Sequence, residues 1–293
     1  MRLLGRRGFT LAELLVALVL FATVTAGTYK VLLINQRVYQ AQTQHIDLQQ
    51  NLRAGGAVFD GEFHELDATD GDIQAMSANS ITIRAMRQLG FICSAPVLGG
   101  GLTGLTMTVR NTPFFSLRAF STTSDSLLIF YEGNAASRTD DGWHSARLTA
   151  TQNQNCPAPD NAPGQQLTMN LTAFVAPQLN SAGMMTIGSP VRGFEIVTYK
   201  AYQGPDSKWY VGLQSASGTQ PILGPILGST GLAFTYYDAA GAVTAVAANV
   251  ARISVTLRAQ TAQLVQQGGG SGGLVAPVDS ITTQVSLRNN PRF

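Results

Sequence analysis

The hydrophobic pattern divides the chain into three stretches. From Phe9 to Tyr29 the residues are apolar or small, apart from one charge, Glu13. That run matches the roughly 20 residues a helix needs to cross a bilayer. It continues past Lys30 through Val31, Leu32, Leu33 and Ile34, so the pattern predicts a membrane-spanning helix over 9–34. The chain then turns polar but keeps a helical rhythm. Val38, Ala41, His45, Leu48 and Leu52 recur at spacings of three and four, which places them on one stripe. Gln36, Arg37, Gln40, Gln42, Gln44, Asp47, Gln49 and Gln50 fill the other faces. The expectation is an amphipathic arm over 35–67, packed on a distal domain through that stripe. Gly55-Gly56 should weaken or kink it. Phe59, Phe63 and Leu66 carry a last helical stretch to about Asp67.

Beyond Asp70 the period shortens to two. Ser80–Arg84, Leu105–Val109, Ser126–Tyr131 and Gln166–Leu171 read as strands. Gly193–Tyr199 and Lys208–Leu213 read as a hairpin turned at Gly204-Pro205-Asp206. Leu232–Tyr237, Ala251–Leu257 and Ser280–Leu287 complete the set. The Gly268–Gly273 run lacks the Lys-Ser/Thr of a phosphate loop and precedes a strand, so it reads as a flexible connection. The fold class is therefore α+β: a long N-terminal helix packed on a β-rich, mainly antiparallel domain over 68–293. Residues 85–190 match no familiar pattern and read as an insertion in that domain.

Composition narrows the setting. Charged residues make up 12% of the chain, about half the usual share of a soluble domain. Uncharged polar residues take their place, as suits an exported or cell-surface β-rich protein. With 45% apolar residues the chain is not of the disordered type. The formal net charge is +2, but Arg2, Arg6 and Arg7 crowd the first eight residues. Taking those three from 19 basic residues leaves 16 against 17 acidic ones, so the remainder is near neutral and a nucleic-acid-binding surface is not supported. Export would permit a disulfide between Cys93 and Cys156; the other reading is two buried thiols.

Arginines before the apolar run and none within it predict a cytoplasmic N-terminus, with the rest of the chain across the membrane. A conventional secretory cut near Ala26-Gly27 is the competing reading. Against it stand the glutamate near the start of the run, the continuation through Ile34 into a helical pattern, and the Arg-Arg-Gly that precedes Phe9. A carboxylate within a membrane helix costs about 2.5–3.5 kcal/mol at the centre and less near an end, and such residues usually have a function. A cut between Gly8 and Phe9 would expose an α-amino group about one helical turn before Glu13. That amino group, or one from a neighbouring subunit, could neutralise the carboxylate.

The run Gly8, Phe9, Thr10, Leu11, Ala12, Glu13, Leu14, Leu15 resembles the class III prepilin signal of type IV pilins and type II secretion pseudopilins. The resemblance implies that a membrane prepilin peptidase cleaves after Gly8 and methylates Phe9. It also implies that Glu13 aids recruitment into a filament. The implied partners are other major and minor pilins, an inner-membrane assembly platform and the lipid bilayer. The order Gly231–Asp238, Val250–Leu257, Thr282–Asn289 resembles the ending of PilW-type minor pilins and J-type pseudopilins. These likenesses imply a minor pilin that helps initiate or cap a type IV pilus, with a J-type pseudopilin as alternative. A membrane-anchored adhesin or DNA-contacting tip protein is the alternative of another class.

Enzyme and cofactor signatures are not found. The three histidines, His45, His64 and His144, complete no zinc motif, and there is no nucleophile elbow or dinucleotide fingerprint. Asp70-Gly71-Asp72 and Asp140-Asp141-Gly142 fall short of a calcium loop and read as turns. No catalytic residue, cofactor or metal is expected.

Overall fold

The computed structural model describes residues 9–94, 96–98, 104–116, 118–133, 136, 137, 139, 141–171, 185–266 and 273–288. One helix, α1 (Leu11–His64), is followed by an antiparallel β domain. The first strands are β1 (Ile73–Met76), β2 (Ser80–Phe91), β3 (Val97–Leu98), β4 (Gly104–Arg110) and β5 (Phe115–Ser116). Next come β6 (Asp125–Tyr131), β7 (Gly142–Asn153), β8 (Gly164–Leu171), β9 (Pro190–Gln203), β10 (Trp209–Ser215) and β11 (Gly218–Ile226). The chain closes with β12 (Leu232–Tyr237), β13 (Arg252–Gln260), the short pair β14 (Val265–Gln266) and β15 (Leu274–Val275), and β16 (Val278–Ser286).

The long strand β9 organises the sheet. One edge pairs with β2 from Pro190 to Lys200. The other edge is divided: β10 takes Thr198–Gln203 and β6 takes Val191–Glu195. The sheet therefore branches. Toward one end it runs through β10 and β11 to β13, which also pairs with β12 and β16. Toward the other it runs through β6, β7 and β8 to β4. A bridge between Ile92 and Val109 returns β4 to the end of β2, closing these strands on themselves as a small barrel.

Each branch has its own apolar core. Alternation along the strands turns Ile81, Ile83, Val197, Tyr199, Val255 and Leu257 toward α1, where they meet Leu48, Leu52, Phe59 and Phe63. Phe59 is the hub, with ring centroids 5.3 Å from Phe63 and Tyr199 and 5.9 Å from Phe234. The barrel is filled by Leu105, Met107, Leu127, Ile129, Leu148, Leu167, Met169 and Val191, as expected of a barrel too narrow to leave a channel.

A chain of ion pairs lies between α1 and the barrel. Arg87, at the register shift of β2, bonds Glu62 of α1 and Glu195 of β9, each at 2.7 Å. Arg118 bridges Glu195 at 3.2 Å and the buried Asp125 of β6 at 2.5 Å. Burial opposes ionisation of Asp125, but the Arg118 guanidinium and the Ser121 N–H outweigh it and hold the carboxyl below its ordinary value. Burial likewise opposes the charge on Arg87, and its two glutamates overcome that and raise its pKa.

Three expectations need correction. The stripe that docks α1 begins at Leu48, not Val38: Val38 is 49% exposed and His45 is exposed. The buried rhythm runs instead through Leu48, Leu52, Gly55, Gly56, Phe59 and Phe63. Gly55-Gly56 does not interrupt the helix, which runs unbroken to His64. The glycines let it approach the sheet: a Cβ at Gly55 would lie 2.6 Å from side-chain carbons of Leu223 and Leu257. Strands β7 and β11 escaped the period-two reading. In β7 the inward positions are His144, Ala146 and Leu148; β11 is interrupted by Pro221, Gly224 and Pro225. The stretch 85–190 supplies β3 to β8, beginning inside β2 and ending at the first residue of β9. The Gly268–Gly273 run lies outside the described residues except Gly273.

Two glycines of α1 should respond oppositely to a side chain. Gly61 has nothing within 4 Å of a built Cβ, so Gly61→Ala should stabilise by about 0.5–1 kcal/mol through helix propensity. Gly55→Leu should cost about 1–3 kcal/mol by overpacking. Urea unfolding of the two variants tests this; equal and small effects would mean that Gly55 is not a contact point.

Candidate functional site

The N-terminal half of α1 is the part of the molecule that its own domain leaves bare. Leu11, Leu14, Leu15, Val16, Leu18, Val19, Leu20, Phe21 and Val24 are each more than half exposed. The helix is long and apolar enough to cross a membrane, and none of that apolar window is buried. Its polar groups are satisfied internally. Thr23 Oγ1 donates to the Leu20 carbonyl at 2.8 Å, Thr25 to Phe21 at 2.7 Å, and Thr28 to Thr25 at 2.9 Å. Threonines that bond back to the helix carry no unpaired donor into an apolar surrounding.

Glu13 sits where the helix begins. Thr10 is the N-cap; the Glu13 backbone N–H donates to Thr10 Oγ1 at 3.3 Å, and the Thr10 N–H donates to Glu13 Oε2 at 2.9 Å. This reciprocal capping box places the carboxylate at the positive end of the helix. Phe9 precedes it, 89% exposed. Gly8, the expected cleavage residue, and Arg2, Arg6 and Arg7 lie outside the described residues.

The remaining residues singled out by sequence lie elsewhere. Cys93 and Cys156 form a disulfide with Cα atoms 5.6 Å apart, joining the end of β2 to the loop after β7. Beside it opens an apolar cleft of about 550 Å³ lined by Phe91, Pro113, Pro157, Pro159 and Ile187, with Arg110 and Asp160. The two sulfurs and Asp160 are close enough for a metal, but disulfide sulfurs are not thiolate ligands. Asp70-Gly71-Asp72 is a turn: Gly71 has φ +78°, and Asp72 Oδ2 accepts the Asp67 N–H at 2.8 Å. Asp141 accepts from the Gly133 N–H at 3.3 Å, and Asp140 is outside the described residues. His64 Nδ1 lies 3.2 Å from the Ser286 carbonyl. His144 is buried and stacked on Tyr131 with ring centroids 3.9 Å apart, and burial lowers its pKa. The ion chain from Glu62 to Asp125 had no local sequence signal, because its members come together only through β2, β6, β9 and α1.

Residues 4–29 match the family model described as the prokaryotic N-terminal methylation motif. This motif is the class III prepilin signal, and it supports a place in the type IV pilin and pseudopilin family. From Leu11 onward the match lies on the bare half of α1, and it covers about a tenth of the chain. Such a signal implies processing by a prepilin peptidase and assembly with other pilins, and it is a signal of structural, filament-forming proteins. Neither a curated protein nor a solved structure matches the chain.

Placing a charge in the bare half should separate anchoring from folding. Val19→Arg adds about 2.5–3.5 kcal/mol to membrane insertion at a residue that touches no part of the domain. Carbonate-resistant membrane retention should fall while the thermal midpoint of the β domain stays unchanged. Unaltered retention would show that this segment is not the anchor.

Proposed function

We propose that this chain is a prepilin cut between Gly8 and Phe9, methylated at Phe9, and assembled through α1 as a minor subunit that helps initiate or cap a type IV pilus. The observation that carries this reading is the overlap of the methylation motif with the half of α1 that the domain leaves bare. The leader stays cytoplasmic and the β domain lies on the periplasmic side before assembly, as the arginines ahead of the helix favour. The partners are the prepilin peptidase, other major and minor pilins, the inner-membrane assembly platform and the bilayer. The role is mechanical rather than catalytic.

In this scheme Glu13 is the assembly carboxylate. Its bonds to Thr10 are local, so the charge remains available to an α-amino group at Phe9 of the same or a neighbouring subunit. Pairing would offset part of the cost of a carboxylate in an apolar medium. The minor role is favoured by the size of the domain, in which a barrel is added beside the sheet that packs on α1. A J-type pseudopilin of a type II secretion system is the competing reading. It is favoured by the same motif and by the order of β12, β13 and β16. The near-neutral charge after the leader gives no support to a nucleic-acid-contacting tip.

Glu13→Ala tests the assembly role. The variant should enter the membrane and be cleaved normally, yet its share in sheared filaments should fall at least about tenfold, as expected for loss of about 1.4 kcal/mol in subunit recruitment. Undiminished incorporation would remove the role given to Glu13.

A further inference from the structure

The wall of β2, β9, β6 and β7 that faces away from α1 is basic and aromatic. Strand register sets its members. Arg84 lies opposite Ile196, Phe194 opposite Ser126, Ser126 opposite Arg147, Arg192 opposite Leu128, and Phe130 opposite Trp143. Lys200 lies farther along β9, roughly 26 Å from Arg192 at the usual rise per residue. No outward position on these four strands is acidic. Asp72, from the turn before β1, compensates Arg84 at 3.6 Å. Arg147 donates to the backbone carbonyls of Thr122 and Thr123, and Lys200 donates to Gln214 at 2.7 Å. Among the described residues, Arg147, Arg192 and Lys200 have no carboxylate within ion-pair distance.

The guanidiniums are held in place by rings. Arg192 lies 4.6 Å from the ring centre of Trp143, and Arg84 lies 5.7 Å from that of Phe194. A guanidinium resting on a ring is attracted by its π face and keeps its in-plane N–H donors free. Such a fork matches a carboxylate bidentately. Arg and Trp are also the residue types most often found at interface hot spots, and Ile196 adds 44%-exposed apolar surface beside them. Single-stranded nucleic acid would instead seek open rings on which to stack bases. Here Phe194 is only 5% exposed, and Trp143 already carries Arg192.

We infer that this wall docks an acidic face of another protein, with Arg192 on Trp143 as its centre. The site is independent of whether the filament is a pilus or a pseudopilus, because it uses no residue of the bare half of α1.

Fluorescein-labelled poly-L-glutamate is the probe for carboxylates. Its anisotropy is followed on titration with the full-length protein in neutral detergent micelles, at low salt where surface charge is least screened. Saturable binding is expected. Arg192→Gln should weaken it at least about fivefold, and Trp143→Ala comparably by releasing the guanidinium; Arg192→Lys should weaken it less than Arg192→Gln, because it keeps the charge and loses the fork. Arg53→Gln, which removes an exposed cation of α1, should leave binding unchanged. The proposal is overturned if no saturable binding occurs, if Arg53→Gln weakens binding as much as Arg192→Gln, or if labelled oligo-dT of matched charge binds more tightly than polyglutamate.

Discussion

The structure is governed by an apolar helix that its own domain covers over only half its length. From Leu11 to Val24 the large apolar side chains stand clear of the β domain. At about 1.5–3 kcal/mol for each such side chain buried, leaving water is worth on the order of 15–25 kcal/mol for this segment. That exceeds the roughly 5–15 kcal/mol by which a folded domain is usually stable. The helix must therefore be covered by lipid or by other helices, and the prepilin-type signal lies on this same segment. A conserved shape is not needed for this step; the uncovered area alone requires a second apolar partner.

The other half of α1 transmits that anchoring to the domain. Leu48, Leu52, Phe59 and Phe63 fix it to the sheet, and two glycines remove the side chains that would hold it off. Glu62 then begins an ion chain that passes through Arg87, Glu195 and Arg118 to Asp125 at the barrel. Removing one member would leave a buried charge uncompensated, which is far more costly than the chain's net contribution is favourable. The barrel is thus held to the helix by specific polar geometry as well as by the shared strands β2 and β9.

Where physics is local, the sequence was readable. The apolar run, its single carboxylate and the helical continuation need only a 3.6-residue period, and Glu13 follows from counting along it. Most strands of the α1-packed sheet show alternation because one face is buried and the other wet. The limits of that reading are equally physical. The docking stripe was placed too early because Val38 and His45 keep the right phase although the domain does not reach them. Gly55-Gly56 looked like a weakness because helix propensity cannot register a close neighbour. Strand β7 of the barrel and strand β11 of the α1-packed sheet do not show the period because small inward residues in the first, and proline and glycine in the second, blur it. The ion chain required residues 62, 87, 118, 125 and 195 to be brought together by topology, which no window on the sequence contains.

The central claim is that α1 is an assembly helix released by a cut on its cytoplasmic side, and the mature N-terminus tests it most directly. Intact-mass and N-terminal peptide mass spectrometry of the membrane-purified protein should find a chain that begins at Phe9 and carries one added methyl group. A chain that begins near Gly27, with the apolar segment removed, would contradict the account.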